Sequence, residues 1–446
     1  MQVNSPNLHI RPVTASVNDQ SHLVLGGCDT VELAKTFGTP LWIVDEETIR
    51  QAAAAVRAGL DGYGDARALY AGKAFLCLAM CHLVKQLGLG LDVVSLGELY
   101  TASKAEFPPE LIYMHGNNKS EEEIAFGLTL GNVKIVVDSE SELELVRRVA
   151  EKLERRAKVL LRVTPGVEPD THHYIRTGQV DSKFGLPLED VSRAAAYARE
   201  HARFIELLGL HSHIGSQSHE LDPYLEIVEI LADCFVDLND SLDIELSQLD
   251  LGGGLGIAYT EKDRPLPILE WSRAVANRVT TAFRRRALPL PTLLLEPGRA
   301  IVGTAGVTLY TAGHLKSLPG GLNYLAVDGG MADNPRPVTY QARYTPCIAN
   351  RMNSPEPPTP VTIVGKYCES GDIIIRDAYL AAKSGDIIAV FGTGAYNYSM
   401  ASNYNRTGRP ACVIVSEGRA EVILEREFTA DLLRQDRVPE RFLRDR

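Results

Sequence analysis

Lys73 stands where a lysine is unusual, at the end of an apolar run that the sequence predicts to be a short buried strand. The run covers residues 67–71 and is followed by Gly72. An ammonium group at the tip of a buried strand is costly to desolvate, and desolvation lowers its pKa. A lysine of this kind can form a Schiff base with a carbonyl compound. The alternative is a lysine whose amine reaches solvent and has no chemical role.

A glycine-rich turn is the second candidate for chemistry. Gly252, Gly253 and Gly254 follow an apolar run that ends at Leu251. Glycines allow backbone N–H groups to turn outward and approach a phosphate closely. Arg299 follows the next apolar run and can supply a charged phosphate contact. A plain tight turn is the alternative.

Glu296 ends that next run, and a carboxylate at the end of an apolar strand needs a cationic or hydrogen-donating partner. The protonated ring nitrogen of a pyridine cofactor is one candidate, and a structural pair with Arg299 or Arg162 is the alternative. A Schiff-base lysine, a phosphate site and a carboxylate for a ring nitrogen are together the requirements of pyridoxal phosphate. We therefore predict pyridoxal 5'-phosphate as the cofactor and no metal site.

Polar residues near the C-terminal end of the chain form another candidate group. Cys368 precedes Glu369, whose charge would disfavour a thiolate, so the thiol suits a proton donor better than a nucleophile. A buried structural cysteine is the alternative. Arg336 can bind a substrate carboxylate through two parallel hydrogen bonds, and Tyr340 and Tyr396 are further polar candidates.

The elements that would position these residues alternate between apolar strands and amphipathic helices. This rhythm predicts an α/β fold with a closed parallel (β/α)8 barrel, and an open doubly wound sheet is the alternative. Barrel active sites lie at the C-terminal ends of the strands, where most of the polar candidates fall. The predicted strands cover residues 67–71, 91–94, 111–115, 134–137, 158–163, 205–211, 247–251 and 292–296.

Composition changes after about residue 310, where short strands rich in Val, Ile, Thr and Tyr predict an antiparallel β-sandwich or β-barrel domain. We expect a flexible N-terminal arm over residues 1–20. We expect a segment over residues 21–45 that joins the β domain through the strand near Trp42. The barrel would then cover residues 46–310, and the C-terminal β domain would cover residues 311–446.

Overall charge and cysteine content restrict the class of protein. The formal charge is -11 with acidic and basic residues interspersed, which argues against nucleic-acid binding. Seven scattered cysteines indicate reduced thiols in a cytoplasmic enzyme rather than a disulfide framework. The sequence contains neither a signal-peptide pattern nor an apolar run of membrane-spanning length, so we expect no membrane association.

Six motifs, in this order, give the chain a resemblance to a known family, and this resemblance runs from about residue 25 to about residue 430. It resembles the diaminopimelate decarboxylases, which belong to the alanine-racemase-like (fold type III) pyridoxal phosphate enzymes. The motifs are Tyr70-Ala71-Gly72-Lys73-Ala74, His115-Gly116-Asn117-Asn118-Lys119, His211-Ser212-His213-Ile214-Gly215-Ser216-Gln217, Glu296-Pro297-Gly298-Arg299, Cys368-Glu369-Ser370-Gly371-Asp372, and Gly394-Ala395-Tyr396 leading into Ser402-Asn403-Tyr404-Asn405.

The resemblance implies which residues bind the cofactor and the substrate. Lys73 would hold the cofactor covalently, and His213 would stack on its ring. The implied cofactor-binding residues are Lys73, His213, Ser216, Gly254, Glu296, Arg299 and Tyr396. The implied substrate-binding residues are Arg299, Arg336, Tyr340, Glu369 and Tyr396.

The resemblance also implies the reaction and the assembly. The expected reaction is decarboxylation of meso-2,6-diaminopimelate to L-lysine and carbon dioxide, the last step of lysine biosynthesis. Cys368 would protonate Cα, and it would come from the partner subunit of a homodimer with shared active sites. Two alternatives remain: a decarboxylase of the same fold that acts on carboxynorspermidine or arginine, and a pyridoxal phosphate-binding protein that decarboxylates nothing.

Overall fold

Eight parallel strands form the framework of the first of two units in the computed structural model, which describes residues 5–166 and 182–443. The chain passes between the two units at residues 13/14, 46/47 and 304/305. The first unit contains residues 47–304 and the N-terminal residues, and the second contains residues 14–46 and the C-terminal part.

The strands of the first unit close into a barrel. Each pairs in parallel with its neighbours, and the last strand pairs with the first through Leu293 and Ala66. The predicted (β/α)8 barrel is therefore confirmed, and the open sheet is wrong. The barrel strands are Ala66–Ala71, Gly90–Val93, Ile112–Met114, Lys134–Val137, Ala157–Thr164, Ile205–His211, Gln248–Asp250 and Thr292–Leu295, and the short strand Leu186–Pro187 pairs with the fifth.

Apolar side chains explain why these segments are strands. Leu69, Tyr113, Val136, Leu160 and Leu294 come from five different strands and form one buried cluster. Strands that are buried on both faces are expected to be nearly continuous in apolar residues. The polar residues at their C-terminal ends are the exceptions, and they make up the candidate site.

Helices follow the strands after short connections. Ser95, Ser120 and Ser139 each cap a helix by accepting a hydrogen bond from the N–H three residues on, which stabilises the helix start. The helices are Glu46–Leu60, Leu78–Gln86, Leu96–Lys104, Glu121–Leu130, Glu140–Lys152, Leu188–Glu200, Asp222–Leu242, Ile268–Arg285 and Arg299–Val302.

The N-terminal residues pack on the barrel instead of forming the expected flexible arm. Pro6–Leu8 is a 3-10 turn, and the buried side-chain amide of Asn7 donates to the carbonyls of Gly256 (3.0 Å) and Leu266 (2.7 Å). A buried amide must be hydrogen-bonded, and Asn7 has its two partners on the barrel. The prediction of a flexible arm over residues 1–20 is therefore wrong over residues 5–13. Residues 14–20 belong to the second unit, and residues 1–4 lie outside the described part of the chain.

The second unit is a β domain whose strands come from both ends of the sequence. Leu41–Asp45 lies between Gly306–Ser317, with which it is antiparallel, and Ala411–Ser416, with which it is parallel. The boundary with the barrel lies at residue 304 rather than 310, because Gly306–Ser317 is already a strand of this sheet.

Most strand pairs in this sheet are antiparallel, as predicted, but two are parallel. One is the pair of Leu41–Asp45 with Ala411–Ser416, and the other joins Asn323–Val327 to Thr359–Val364. The strand order is Ile373–Leu380, Thr359–Val364, Asn323–Val327, Gly306–Ser317, Leu41–Asp45, Ala411–Ser416 and Arg419–Leu424, with Pro346–Ile348 and Ile387–Phe391 as a branch.

Shorter elements also belong to the second unit. A small sheet of Ser16–Val17, Leu23–Leu25 and Cys28–Asp29 leads into the helix Thr30–Phe37, and the helix Arg336–Tyr340 follows the strand Asn323–Val327. Within the described residues of the whole chain, no helix combines the length and apolar character needed to cross a membrane.

Candidate active site

Lys73 lies at the C-terminal end of the first barrel strand, in the short turn Gly72–Ala74. The phenol of Tyr70 donates to the carbonyl of Phe75 (2.7 Å) and holds this turn against the strand. Gly72 is required there, because a Cβ at this position would lie 2.9 Å from the carbonyl oxygen of Asp92. The Lys73 amine lies 3.5 Å from Oδ2 of the fully buried Asp92, while the lysine side chain is 34% exposed. A ligand at this end of the barrel can therefore reach the amine.

Glu296 follows the eighth strand and is buried beside two histidines. Its Oε1 lies 2.7 Å from Nε2 of His115, and its Oε2 lies 3.6 Å from Nε2 of His211. The two imidazole rings contact each other edge to face at 4.8 Å. Across the described residues, neither Glu296 Oε1 nor His115 Nε2 makes a hydrogen bond of good geometry. Glu296 thus lies where its carboxylate can accept from a donor that enters at the C-terminal ends of the strands.

The charge of this buried cluster is set mainly by desolvation. Burial lowers the pKa of His211 to about 3, so its imidazole is neutral. Burial raises the pKa of Asp92, and burial together with the charge of Glu296 raises the pKa of Asp250 well above its usual value. Burial alone would raise the pKa of Glu296, but His115 and His211 outweigh it and hold that pKa well below its usual range. Of these carboxyl groups, Glu296 is therefore the one whose ionised form is favoured.

These side chains also have the donor types of a cation site. Ligand atoms of His115, His211, Asp250 and Glu296 lie within 4.8 Å of one another. Desolvation favours a protonated Asp250, which would weaken it as a ligand. The Glu296 carboxylate, whose ionised form is favoured, can accept a hydrogen bond from one N–H donor.

His213 lies two residues after the end of the sixth strand, next to the glycine turn. The N–H of Gly253 donates to its Nδ1 (3.3 Å), which orients the ring. Desolvation lowers the pKa of His213 well below its usual value, and the charges of Lys73 and Arg162 lower it further. The imidazole is therefore neutral and can lie against an aromatic ring without electrostatic cost.

The turn after the seventh strand needs glycines because neighbouring backbone packs closely against it. Gly252 has φ +61° and Gly254 has φ +102°, and a Cβ on Gly254 would collide with the carbonyl of Gly215. Arg299 borders the same region: its guanidinium donates to Ser216 Oγ (2.9 and 3.1 Å) and to the hydroxyl of Tyr259 (2.5 Å). A buried guanidinium beside glycine backbone is a suitable site for a phosphate.

The candidates of the second unit occupy three chain segments that hydrogen bonds bring together. Cys368 and Glu369 are exposed on a turn, and the N–H of Cys368 donates to Oδ1 of Asn405 (3.2 Å). The N–H of Ser402 donates to the carbonyl of Ala332 (2.9 Å), which joins the segment with Tyr396 to the one that leads to Arg336.

Arg336 and Tyr340 are the first and last residues of one short helix. The Arg336 guanidinium is buried and donates to the hydroxyl of Tyr344 (2.7 Å). Tyr396 has φ +62°, a conformation that is rare for a tyrosine and that occurs often at functional sites.

Several polar residues of these clusters were not assigned a role from the sequence. Asp92 beside Lys73 could have been found as an acid within an apolar strand. His115 and His211 stand at strand ends within two of the motifs, but sequence reasoning assigned them no role. Tyr259 has no such signal, because a tyrosine in a loop is common and its contact with Arg299 depends on the tertiary fold.

Comparison with known proteins decides the family. Residues 46–303 match the family model described as "Pyridoxal-dependent decarboxylase, pyridoxal binding domain". The diaminopimelate decarboxylase of Synechocystis sp. is 46% identical over 451 residues, which cover 98% of this chain and 95% of that protein. The chain belongs to the diaminopimelate decarboxylase family.

Other members of the diaminopimelate decarboxylase family match over nearly their whole length. The Bacillus subtilis protein is 44% identical over 95% of this chain and 97% of its own. The crystal structure of the M. jannaschii enzyme in complex with L-lysine has a TM-score of 0.89 at 36% identity, and covers 96% of this chain and 99% of that one.

The cofactor of this family is pyridoxal phosphate, and the barrel residues fit it. Glu296 has a buried carboxylate oxygen for a protonated ring nitrogen, and the buried Arg299 guanidinium, hydrogen-bonded to Ser216 beside the glycine turn, suits a phosphate. Lys73 provides an amine at the same end of the barrel as both. The residue set therefore matches the three requirements of this cofactor.

Proposed function

We propose that the protein decarboxylates meso-2,6-diaminopimelate to L-lysine and carbon dioxide with pyridoxal phosphate as its cofactor. The observation that carries the proposal is the identity of 40–46% with eight curated diaminopimelate decarboxylases over 93–98% of the chain. The lysine/ornithine decarboxylase of Vibrio vulnificus is only 21–22% identical, and that likeness extends to the fold alone.

Each barrel residue has a role that its surroundings support. Lys73 would bind the cofactor covalently, and Asp92 would accept a hydrogen bond from its amine. His213 would stack on the cofactor ring, because its imidazole is neutral and oriented by Gly253. Glu296 would accept a hydrogen bond from the ring nitrogen and keep it protonated. When bound, the cofactor supplies the electron-accepting ring that makes loss of carbon dioxide possible.

The phosphate would bind between the glycine turn and Arg299. Gly254 would contribute backbone, and Ser216 and Arg299 would contribute side-chain donors, which are already hydrogen-bonded to each other. Arg299 would also contact the substrate, for which a buried guanidinium is suited because it binds carboxylates through two parallel hydrogen bonds.

In a homodimer, the turn with Cys368 and Glu369 would complete the active site of the partner chain. Cys368 would donate the proton to Cα, and Glu369 would bind the distal amine of the substrate. Both side chains are exposed, as groups that meet a second chain must be. Arg336, Tyr340 and Tyr396 would bind the substrate, and Tyr396 the cofactor as well.

Replacement of Lys73 tests the proposal directly. Purified wild-type protein with pyridoxal phosphate should release carbon dioxide from meso-2,6-diaminopimelate far faster than from ornithine, arginine or carboxynorspermidine. Lys73→Ala should lose this activity and the absorbance band of the lysine-bound cofactor, because the Schiff-base amine is gone.

Lys104→Ala is the matched control, since Lys104 is an exposed lysine of the same unit. It should keep both the activity and the absorbance band. Turnover and an unchanged band in Lys73→Ala would refute the assignment of Lys73. Faster release from another amino acid of the panel would refute the substrate.

A further inference from the structure

Asp372 holds two separate segments of the second unit through one buried carboxylate. Its Oδ1 accepts from the N–H of Met331 (2.7 Å), and its Oδ2 accepts from the N–H of Tyr367 (2.9 Å). The residue is 3% exposed. A hydrogen bond from a neutral donor to a charged acceptor is stronger than one between neutral groups, particularly when buried.

Two glycines make this close approach possible. A Cβ on Gly330 or on Gly365 would collide with the Asp372 carboxylate. Gly330 precedes Met331, and Gly365 lies two residues before Tyr367, so both backbones come near to the carboxylate. The carboxylate thus lies between the two segments and is hydrogen-bonded to both of them.

Each of these segments leads into a candidate substrate-binding residue. Tyr367 directly precedes Cys368 and Glu369, and Met331 precedes the helix that begins at Arg336. The segments also meet through the N–H of Lys366, which donates to the carbonyl of Gly329 (3.0 Å). A displacement of one segment relative to the other would therefore change the distance between Cys368 and Arg336.

The turn with Cys368 has open space on one side. A cavity of about 370 Å³ is lined by the turn residues Glu369 and Ser370, by Asp372, and by His314 and Lys316 from a neighbouring strand. Asp372 and Asn405 hold the backbone of the turn through hydrogen bonds to Tyr367 and Cys368.

From these contacts we propose that Asp372 is a positioning residue for the proton donor. It rests on the proposed function: Asp372 fixes the position of the Cys368 thiol on the β domain, and thus how well this thiol is aligned for proton transfer to a bound substrate. Asp372 itself touches neither substrate nor cofactor. Because misplacement by about 1 Å can cost about 100-fold in rate, loss of this anchor is expected to affect catalysis more than folding.

Asp372→Asn is the first test, because the amide keeps the shape of the carboxylate but can accept only one of the two hydrogen bonds. Its NH2 group would face the other backbone N–H, which is also a donor. With meso-2,6-diaminopimelate, kcat should fall about 10- to 100-fold and KM should rise. The solvent deuterium isotope effect on kcat should increase, because proton donation becomes more rate-limiting. Cofactor affinity should stay unchanged, since the anchor lies in the β domain.

A substrate-independent readout accompanies the kinetics. The rate at which iodoacetamide alkylates Cys368, followed by peptide mass spectrometry, should rise in Asp372→Asn because the turn is less restrained. Asp377→Asn is the matched control, an exposed aspartate on the strand Ile373–Leu380. It should equal wild type in every measurement.

Several outcomes would overturn the inference. One is that Asp372→Asn equals Asp377→Asn in its kinetics and in its alkylation rate. Another is that Asp372→Asn has a lower kcat with an unchanged KM and isotope effect, because this pattern indicates only that fewer molecules are active. If Asp372→Asn does not fold, Gly365→Ala is the second test, because its methyl group displaces the Asp372 carboxylate and leaves it ionised. Gly365→Ala should show the same changes in kcat, KM, isotope effect and alkylation rate. An inactive wild type would instead refute the proposed function, while the alkylation rates would still test the anchor.

Discussion

The barrel and the β domain hold their candidate residues by different physical means. In the barrel, Glu296, His211 and Asp250 are buried strand-end side chains whose charges are set by desolvation and by one another. In the β domain, Cys368 and Glu369 are exposed, and their turn is held through backbone N–H groups by Asp372 and Asn405. The first arrangement suits a permanently bound cofactor, and the second suits groups that meet a substrate and a second chain.

The contrast predicts that substitutions in the two units separate cofactor binding from turnover. A barrel variant should change the affinity for pyridoxal phosphate. A variant of the exposed turn should leave that affinity alone and change the rate. The following experiments test that separation.

Cys368→Ala should have the largest effect. Loss of a positioned proton donor is expected to lower kcat by about 100-fold or more, while the affinity for pyridoxal phosphate stays at the wild-type value. Steady-state release of carbon dioxide and titration of the apoprotein with cofactor measure the two quantities. Cys234→Ala, at a partly buried cysteine in a barrel helix, is the control. Unchanged turnover in Cys368→Ala would remove it as the proton donor.

Gly254→Ala should show the opposite pattern. The new methyl group collides with the carbonyl of Gly215 in a turn at φ +102°, so the turn must open. Such overpacking typically costs about 1–3 kcal/mol, and the dissociation constant for pyridoxal phosphate should rise about 10-fold or more.

Gly64→Ala is a matched control, because Gly64 has φ +109° but open space around it. It carries the backbone strain without the collision. Equal cofactor affinity in the two variants would show that the glycine turn does not bind the phosphate.

Glu427→Gln should have the smallest effect and should act on stability alone. Arg409 holds the pKa of Glu427 at about 2, below the value of about 4.5 expected in the unfolded chain. A lowered pKa stabilises the fold above pH 4.5, and this contribution is lost as pH falls through 2. Since both groups are partly exposed, the loss at pH 7 should be about 1 kcal/mol.

Urea unfolding of wild type and Glu427→Gln at pH 7 and pH 3 measures this contribution. The difference between the two proteins should shrink at pH 3. Glu425→Gln, an exposed neighbour, should unfold like wild type at both pH values. A difference that grows on acidification would contradict the ion-pair explanation.

Sequence reasoning was most successful where residue type is dictated by burial. The eight barrel strands were predicted because they are apolar on both faces, and Lys73 and Glu296 because charged groups at strand ends are exceptional. The roles assigned to individual residues remain predictions, since they depend on a cofactor and on the proposed second chain.

The β domain was predicted less well, for physical reasons. Gly306–Ser317 was taken partly as barrel because its apolar start continues the preceding pattern. Ile373–Leu380 was missed because Asp377 has φ +56° at an irregularity in its pairing with Thr359–Val364, which breaks the alternation of buried and exposed residues. Asp372 was visible in its motif, but its partners Met331 and Tyr367 are backbone groups that no sequence pattern marks.

The strand Leu41–Asp45 has a consequence for the order of events during synthesis. It is made before the barrel, yet its neighbours Gly306–Ser317 and Ala411–Ser416 are made after it. This apolar strand therefore has no strand partner while the whole barrel is synthesised. Non-local pairing of this kind is slow and exposes a chain to aggregation. The barrel can close first, and the β domain becomes the step at which a nascent chain is most vulnerable.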